Sequence, residues 1–170
     1  VGDPLEPATK VGAIVSKQHF DKIMSYIDLA KQEGGSILAG GKSVIPNGRC
    51  ADGWFIEPTV IEGLPFDCRT NQEEIFGPVV TLQPFDTEEE VLDYANSVRY
   101  GLSASVWTEN LSRAHRMAAG IESGFVWVNT WMLRDLRTLF GGYKDSGIGR
   151  EGGFETLRFF TEEKNVCVKI

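Results

Sequence analysis

The apolar residues Phe20, Ile23, Met24, Ile27 and Ala30 recur at steps of three and four, the period of a single helix face. Ser16 stands in front of this run as a capping hydroxyl and Gly34-Gly35 closes it, so the spacing predicts a helix from Ser16 to Glu33. Ser36 to Ala39 is a short apolar stretch, followed by the turn-rich GGKSVIPNGRCADG. Trp54 to Leu64 (WFIEPTVIEGL) reads as extended chain, and Pro58, which lacks a ladder donor, favours a sheet edge.

The middle of the chain is more regular. Val79 to Phe85 (VVTLQPF) is a strand whose end is limited by Pro84. Thr87 and Glu90 form a capping box, and Val91, Leu92, Ala95 and Val98 then share one helix face. Leu102 to Thr108 (LSASVWT) is a second strand. Asn110 caps a helix carrying Ala114, Met117, Ala118 and Ile121, which Gly124 closes, and Phe125 to Asn129 (FVWVN) is a third strand. The order β-α-β-α-β predicts an α/β fold, a parallel sheet with right-handed crossovers and helices on both faces. Strands covered on both sides read as apolar runs, as these do. Ligands in such sheets gather beyond the carboxyl ends of strands, which directs attention to residues 130–140. The last residues alternate Val166, Val168 and Ile170 with Cys167 and Lys169, a strand set apart from that sheet that would pair elsewhere in the chain or with another subunit.

Composition narrows the partners. A chain of 170 residues fits one domain or one lobe of a larger protein; at that length roughly two-thirds of the unfolded surface can be buried. The net charge of −7 repels a phosphate backbone and no Lys/Arg cluster reverses it locally, so nucleic acid is not an expected partner. No apolar run approaches the ~20 residues of a membrane helix, and no membrane partner is expected. No basic-then-apolar leader opens the chain. Cys50, Cys68 and Cys167 are dispersed, which suits reduced thiols in a cytosolic setting. With only His19 and His115 to join them, no metal site is expected. Val1 is not a Met and VGDPLEPATKVG reads as the middle of a loop, so further residues are expected upstream.

G-I-G-R-E-G, Gly147 to Gly152, fits the dinucleotide pattern G-x-G-x-x-G. That motif works where a buried strand enters a glycine turn that opens a helix holding the pyrophosphate. Here Tyr143-Lys144-Asp145-Ser146 precede the turn, which is no buried strand, and no acid follows a second strand about 20 residues on. The plainer expectation is a backbone-directed loop with positive φ at several glycines.

Two other stretches carry more. Glu73-Glu74-Ile75-Phe76-Gly77-Pro78-Val79 is one, and Phe140-Gly141-Gly142-Tyr143-Lys144 with Ser146-Gly147 and Gly149-Arg150-Glu151 is the other. In that order and separation they resemble the aldehyde dehydrogenase superfamily, as do GDPLEP, GWFIEPTV, YGLSASVWT, SGFVWVN and TEEKNVCVKI. The resemblance covers essentially the whole chain and is to the C-terminal third of such an enzyme. It implies oxidation of an aldehyde to a carboxylic acid with hydride passed to NAD or NADP. In that family a cysteine thiolate attacks the aldehyde, and a glutamate-activated water hydrolyses the resulting thioester. None of the three cysteines here falls in the nucleophile motif, so no catalytic residue is assigned. Residues 1–158 would be a partial catalytic domain and 159–170 an oligomerisation strand. The nucleotide domain and nucleophile would lie upstream, and the chain alone would be inactive. The expected partners are an aldehyde, the remainder of the dehydrogenase chain and further copies in a homo-oligomer.

By the same resemblance, Glu74 matches the glutamate that hydrogen-bonds the nicotinamide ribose, and Phe76 the aromatic backing the nicotinamide end. A carboxylate suits a diol because it accepts through two oxygens; read without the resemblance, Glu74 is a solvated acid beside a helix. Residues 129–140 align with the lining of the aldehyde tunnel. Many relatives place an apolar residue where this chain has Arg134, and a guanidinium there calls for an anion, best a carboxylate gripped through both nitrogens. W-x-x-R-D-L-R most resembles the branch acting on 2-hydroxymuconic and 2-aminomuconic semialdehydes, intermediates of aromatic and tryptophan breakdown. Trp131 and Phe140 would be flat walls for a conjugated chain, and Arg137 a second anchor. The other reading has Arg134 paired with Asp135 or another acid and turned away from the tunnel. Leu139 stands where Pro is usual before Phe140, which bears on loop rigidity. Two alternatives are a general or betaine-type aldehyde dehydrogenase and a stand-alone, non-catalytic pairing module using its last strand as an edge.

Overall fold

The Oγ of Ser16 accepts the His19 amide at 3.2 Å and opens helix α1, Lys17–Gln32. Glu33 and then Gly34, in the left-handed region at φ 94°, end it. The computed structural model describes residues 1–170, in two units, Val1–Pro84 and Phe85–Ile170.

In the first unit, α1 is followed by strands β1 (Ser36–Ala39), β2 (Ser43–Val44), β3 (Phe55–Ile56) and β4 (Thr59–Glu62), the short helix α2 (Arg69–Gln72) and strand β5 (Val79–Leu82). β4 lies between β1, antiparallel, and β5, parallel; β2 and β3 pair separately. The helix face read from the sequence is the one buried: Ile23, Ile27 and Ala30 are fully covered. Ile23 and Ile27 pack with Ile56 over Ile14, Phe20, Met24, Ile37 and Val79. Ala30 joins Ile61 and Leu64.

Pro58 did not make β4 an edge. It falls in the gap between β3 and β4, ahead of the first paired residue, so its missing N–H costs the ladder nothing. Thr59 donates to the Pro78 carbonyl at 2.8 Å and the strand runs on as the centre of its sheet.

The second unit holds α3 (Glu88–Asn96), β6 (Tyr100–Gly101), β7 (Ser103–Val106), α4 (Leu111–Gly120), β8 (Phe125–Val128), β9 (Tyr143–Lys144) and α5 (Gly153–Phe159). Thr87 Oγ1 accepts the Glu90 amide at 3.1 Å. The Glu90 carboxylate reaches back to the Asp86 amide at 2.7 Å, one residue before the usual capping-box partner. Asn110 caps α4 through the Arg113 amide at 2.9 Å. β7 and β8 are parallel over four registered pairs, and β6 pairs antiparallel with β9.

The α/β class with parallel pairs is as the pattern predicts, but the three strands read as one sheet divide between two. β7-α4-β8 forms the expected parallel unit, while β5 takes β4 as its parallel partner. The apolar run of β5 did not identify which neighbour covers it, and Val80 and Leu82 remain about half exposed. The sequence reading missed α5. Residues 161–170 form no helix or ladder in this chain and are exposed.

One close approach fixes the second unit. A Cβ on Gly124 would lie 1.6 Å from the Gly141 carbonyl oxygen. Gly124→Ala is therefore expected to lower the urea midpoint of unfolding by the equivalent of about 2 kcal/mol or more, since neither backbone can give way cheaply. An unchanged midpoint would show the approach to be looser than described.

Candidate functional site

The segment between α2 and β5 carries Glu74 and Phe76. Both side chains are exposed, Phe76 to 75%. Phe76 has φ 55°, a left-handed backbone that an aromatic residue rarely adopts. Gly77, next in line, rests on Ile23: an added Cβ would meet Ile23 carbons at 2.7 Å. Lys22 Nζ donates to the Glu74 carbonyl at 2.8 Å, and His19 Nε2 lies 2.6 Å from the Phe76 carbonyl. The His19 and Phe76 rings meet edge-on with centroids 6.0 Å apart.

Glu73 is held differently. Its carboxylate accepts Arg69 through two nitrogens at 2.7 and 3.0 Å, and also the Tyr26 hydroxyl. The Arg69 guanidinium, then the Tyr26 hydroxyl, lower its pKa to about 2. The same contact raises the Tyr26 phenol. At the other end of α2, burial would raise Glu33, but the Thr70 hydroxyl and amide bring it below its ordinary value. Burial pushes the Cys68 thiol up, with Glu33 beside it adding to the effect, so Cys68 is no activated nucleophile.

In the second unit the chain leaves β8 through Asn129, also left-handed at φ 53°. Its side-chain amide clasps Thr108, accepting the amide and donating to the carbonyl, each at 2.8 Å. Trp127, buried, donates Nε1–H to the Leu133 carbonyl at 2.8 Å, and Trp131 meets it edge-on at 5.1 Å while remaining 60% exposed. The Arg134 guanidinium lies over the Phe140 ring, 4.2 Å from its centroid. It donates to the Glu151 carboxylate at 3.5 Å, a long ion pair between partly exposed groups. Phe140 is pinned to Glu151 by two backbone bonds of 2.8 and 2.7 Å. Arg134, Phe140 and Glu151, with Phe125, Thr156 and Leu157, line a concavity of about 500 Å³.

Arg134 and Phe140 are thus brought together, while Trp131 and Arg137 stand outside this concavity. It is Arg137, not Arg134, that binds Asp135: the guanidinium grips the carboxylate at 2.5 to 3.1 Å and holds it below its usual range. Of the acids weighed as competitors for Arg134, Asp135 is therefore engaged elsewhere and Glu151 is the one that pairs with it, and Arg137 is not a free anchor.

The G-x-G-x-x-G run is a packing device. Gly147, Gly149, Gly152 and Gly153 all have positive φ. A Cβ on Gly152 would sit 2.0 Å from the Thr138 carbonyl oxygen, and the Gly153 amide donates to Leu136 at 3.2 Å. The chain itself fills the start of α5 where a pyrophosphate would have to lie. No group of three His, Cys, Asp or Glu side chains is placed to hold a metal ion.

Missing from the sequence reading were His19, Lys22 and Tyr26, which support the Glu74 segment from α1. Their spacing of three and four was available as a signal.

Residues 1–166 match the aldehyde dehydrogenase family, and the chain belongs to it. It is 49% identical over 170 residues to 2-hydroxymuconic semialdehyde dehydrogenase of Pseudomonas sp. (strain CF600), an alignment covering 100% of this chain and 35% of that protein. It is 53% identical over 167 residues to 2-aminomuconic 6-semialdehyde dehydrogenase of Pseudomonas sp, covering 98% and 34%. The fold superposes on a P. syringae AldA indole-3-acetaldehyde dehydrogenase mutant in complex with NAD+ and IAA with a TM-score of 0.91 at 41% identity, over 99% of this chain and 34% of that one. The chain spans about a third of the length of these relatives.

The Glu73 ion pair has a pH signature. Its folded pKa of about 2 lies below the ordinary 4.5, so the stability it contributes is full above about pH 4.5 and is lost as pH falls toward 2. Glu73→Gln removes this, and the fall of the thermal midpoint between pH 5 and 2 is expected to be shallower than in the parent chain. Parallel curves would contradict the assignment.

Proposed function

We propose that this chain is the carboxy-terminal part of an NAD(P)-dependent dehydrogenase that oxidises a carboxylated semialdehyde, of the muconic semialdehyde type, to the acid. The observation that carries the substrate class is Arg134. Its guanidinium lines the concavity, lies over Phe140 and is paired only loosely, through one nitrogen at 3.5 Å, with Glu151, which leaves donors for an incoming carboxylate. A substrate with a carboxylate remote from its aldehyde would be gripped by Arg134 and laid against the Phe140 ring. A betaine-type cationic aldehyde would meet like charge at the same place. Arg137 would act indirectly, by keeping Asp135 from neutralising Arg134.

The Glu74 segment fits a nicotinamide nucleotide. An exposed carboxylate and an exposed aromatic ring two residues apart offer an acceptor for the ribose diol and a face behind the ring. NAD or NADP, when bound, supplies the hydride acceptor; Glu74 would orient the ribose and Phe76 limit where the nicotinamide can lie. The nucleophile and the water-activating glutamate would come from the remainder of the dehydrogenase chain. Residues 159–170 would complete a sheet in a homo-oligomer, and a reducing cytosolic setting suits the three free thiols.

Two outcomes are expected. In the complete enzyme, Arg134→Ala raises KM for the carboxylated semialdehyde about 10- to 100-fold, the equivalent of one charge-assisted hydrogen bond, and leaves an uncharged aldehyde nearly unaffected. Equal effects on both substrates would sink the assignment. The 170-residue chain by itself is expected to oxidise neither; NADH formation above a buffer blank would refute that.

A further inference from the structure

His19, Lys22 and Tyr26 are spaced three and then four residues apart, and so share one face of α1. Each takes hold of a different residue of the segment that follows α2. Tyr26 donates to the Glu73 carboxylate, Lys22 to the Glu74 carbonyl at 2.8 Å, and His19 Nε2 to the Phe76 carbonyl at 2.6 Å. A carbonyl only accepts, so His19 must present Nε2–H there. Between these contacts the fully buried Ile23 supports Gly77 so closely that no side chain fits.

The pattern of anchoring matters. At Glu74 and Phe76, α1 grips the main chain and leaves both side chains outward; at Glu73 it grips the side chain. Side chains alternate along extended backbone, so tying Glu73 inward turns Glu74 outward. The His19 bond lies on the residue whose backbone is left-handed, a conformation that persists only where its surroundings impose it. Three polar contacts and one apolar floor therefore fix where the Glu74 carboxylate and the Phe76 ring point.

We infer that this face of α1 is a latch that presets the nicotinamide-ribose site, with Lys22 and His19 as positioning residues acting through the main chain of Glu74 and Phe76. The inference rests on the reading of Glu74 and Phe76 as cofactor-facing residues. Lys22 is exposed, and a bond from an exposed ammonium contributes little to global stability. Its removal should therefore alter the aim of the segment more than the fold.

The experiment is NAD titration into the complete enzyme by calorimetry, which reads binding without turnover. Lys22→Met is expected to weaken NAD binding about tenfold, the effect of one anchoring hydrogen bond, with Lys22→Arg restoring most of it. The KM for aldehyde should stay within about twofold, because the latch touches no substrate-facing residue. Amide exchange over residues 73–77 should quicken in Lys22→Met. His19→Leu and His19→Gln, which remove and keep the donor, give a second pair with the same expected contrast should Lys22→Met fail to fold. Unchanged NAD affinity in Lys22→Met and His19→Leu, alongside weakened affinity in Glu74→Gln, overturns the latch alone. Unchanged affinity in Glu74→Gln overturns the cofactor reading and the latch with it.

Discussion

The contact between Ile23 and Gly77 is the constraint on which the first unit depends. Ile23 is fully buried on the inner face of α1, and the Gly77 backbone rests on its side chain. That contact sets the height at which the chain passes from α2 into β5. Everything around it follows from the spacing: Ile27 and Ala30 continue the apolar face into the sheet, while His19, Lys22 and Tyr26 reach the passing segment from the flank. Apolar burial supplies the adhesion and the polar contacts supply the direction, a division that non-directional and directional forces impose.

The second unit turns on how two nearby arginines are used. Arg137 lies against Asp135, and its charge is matched within two residues of its own chain. Arg134, three residues earlier, has a ring under it and an acid only at 3.5 Å. The same residue type thus makes a close pair with a sequence neighbour in one place and a longer pair over an aromatic ring in the other. Stacking on Phe140 holds the guanidinium plane without consuming its hydrogen-bond donors, which is what an aromatic partner offers and a carboxylate does not.

Much of this was legible in the sequence, and the boundary is physical. Caps and periodicity are local, so Ser16, Thr87 and Asn110 were read correctly with the helices they open. Strand partners are not local: the apolar run of β5 was the same whether its neighbour was β4 or β7, and only the register of Thr59 with Val79 decides it. Pro58 misled because its effect depends on whether it falls inside a ladder or one residue short of it. α5 was hidden because its start is set by Gly152 and Gly153 against the Thr138, Leu136 and Arg137 carbonyls, contacts invisible in the order of residues. At the candidate site, Glu74, Phe76, Arg134 and Phe140 could be named as expectations, but not that Asp135 belongs to Arg137 and Glu151 to Arg134, nor that α1 stands behind Glu74.

Phe76 sits at a position where local backbone energetics favour other residues. A left-handed backbone costs a residue with a Cβ about 1 kcal/mol, while glycine or asparagine would sit there with less strain. A lineage drifting under pressure for stability alone would be drawn toward those two. An aromatic residue at φ 55°, three-quarters exposed, therefore sits above the local minimum that those two would occupy. If the ring serves no purpose, the position is free to relax toward glycine or asparagine; if it serves one, the strain is the measure of what that purpose must outweigh.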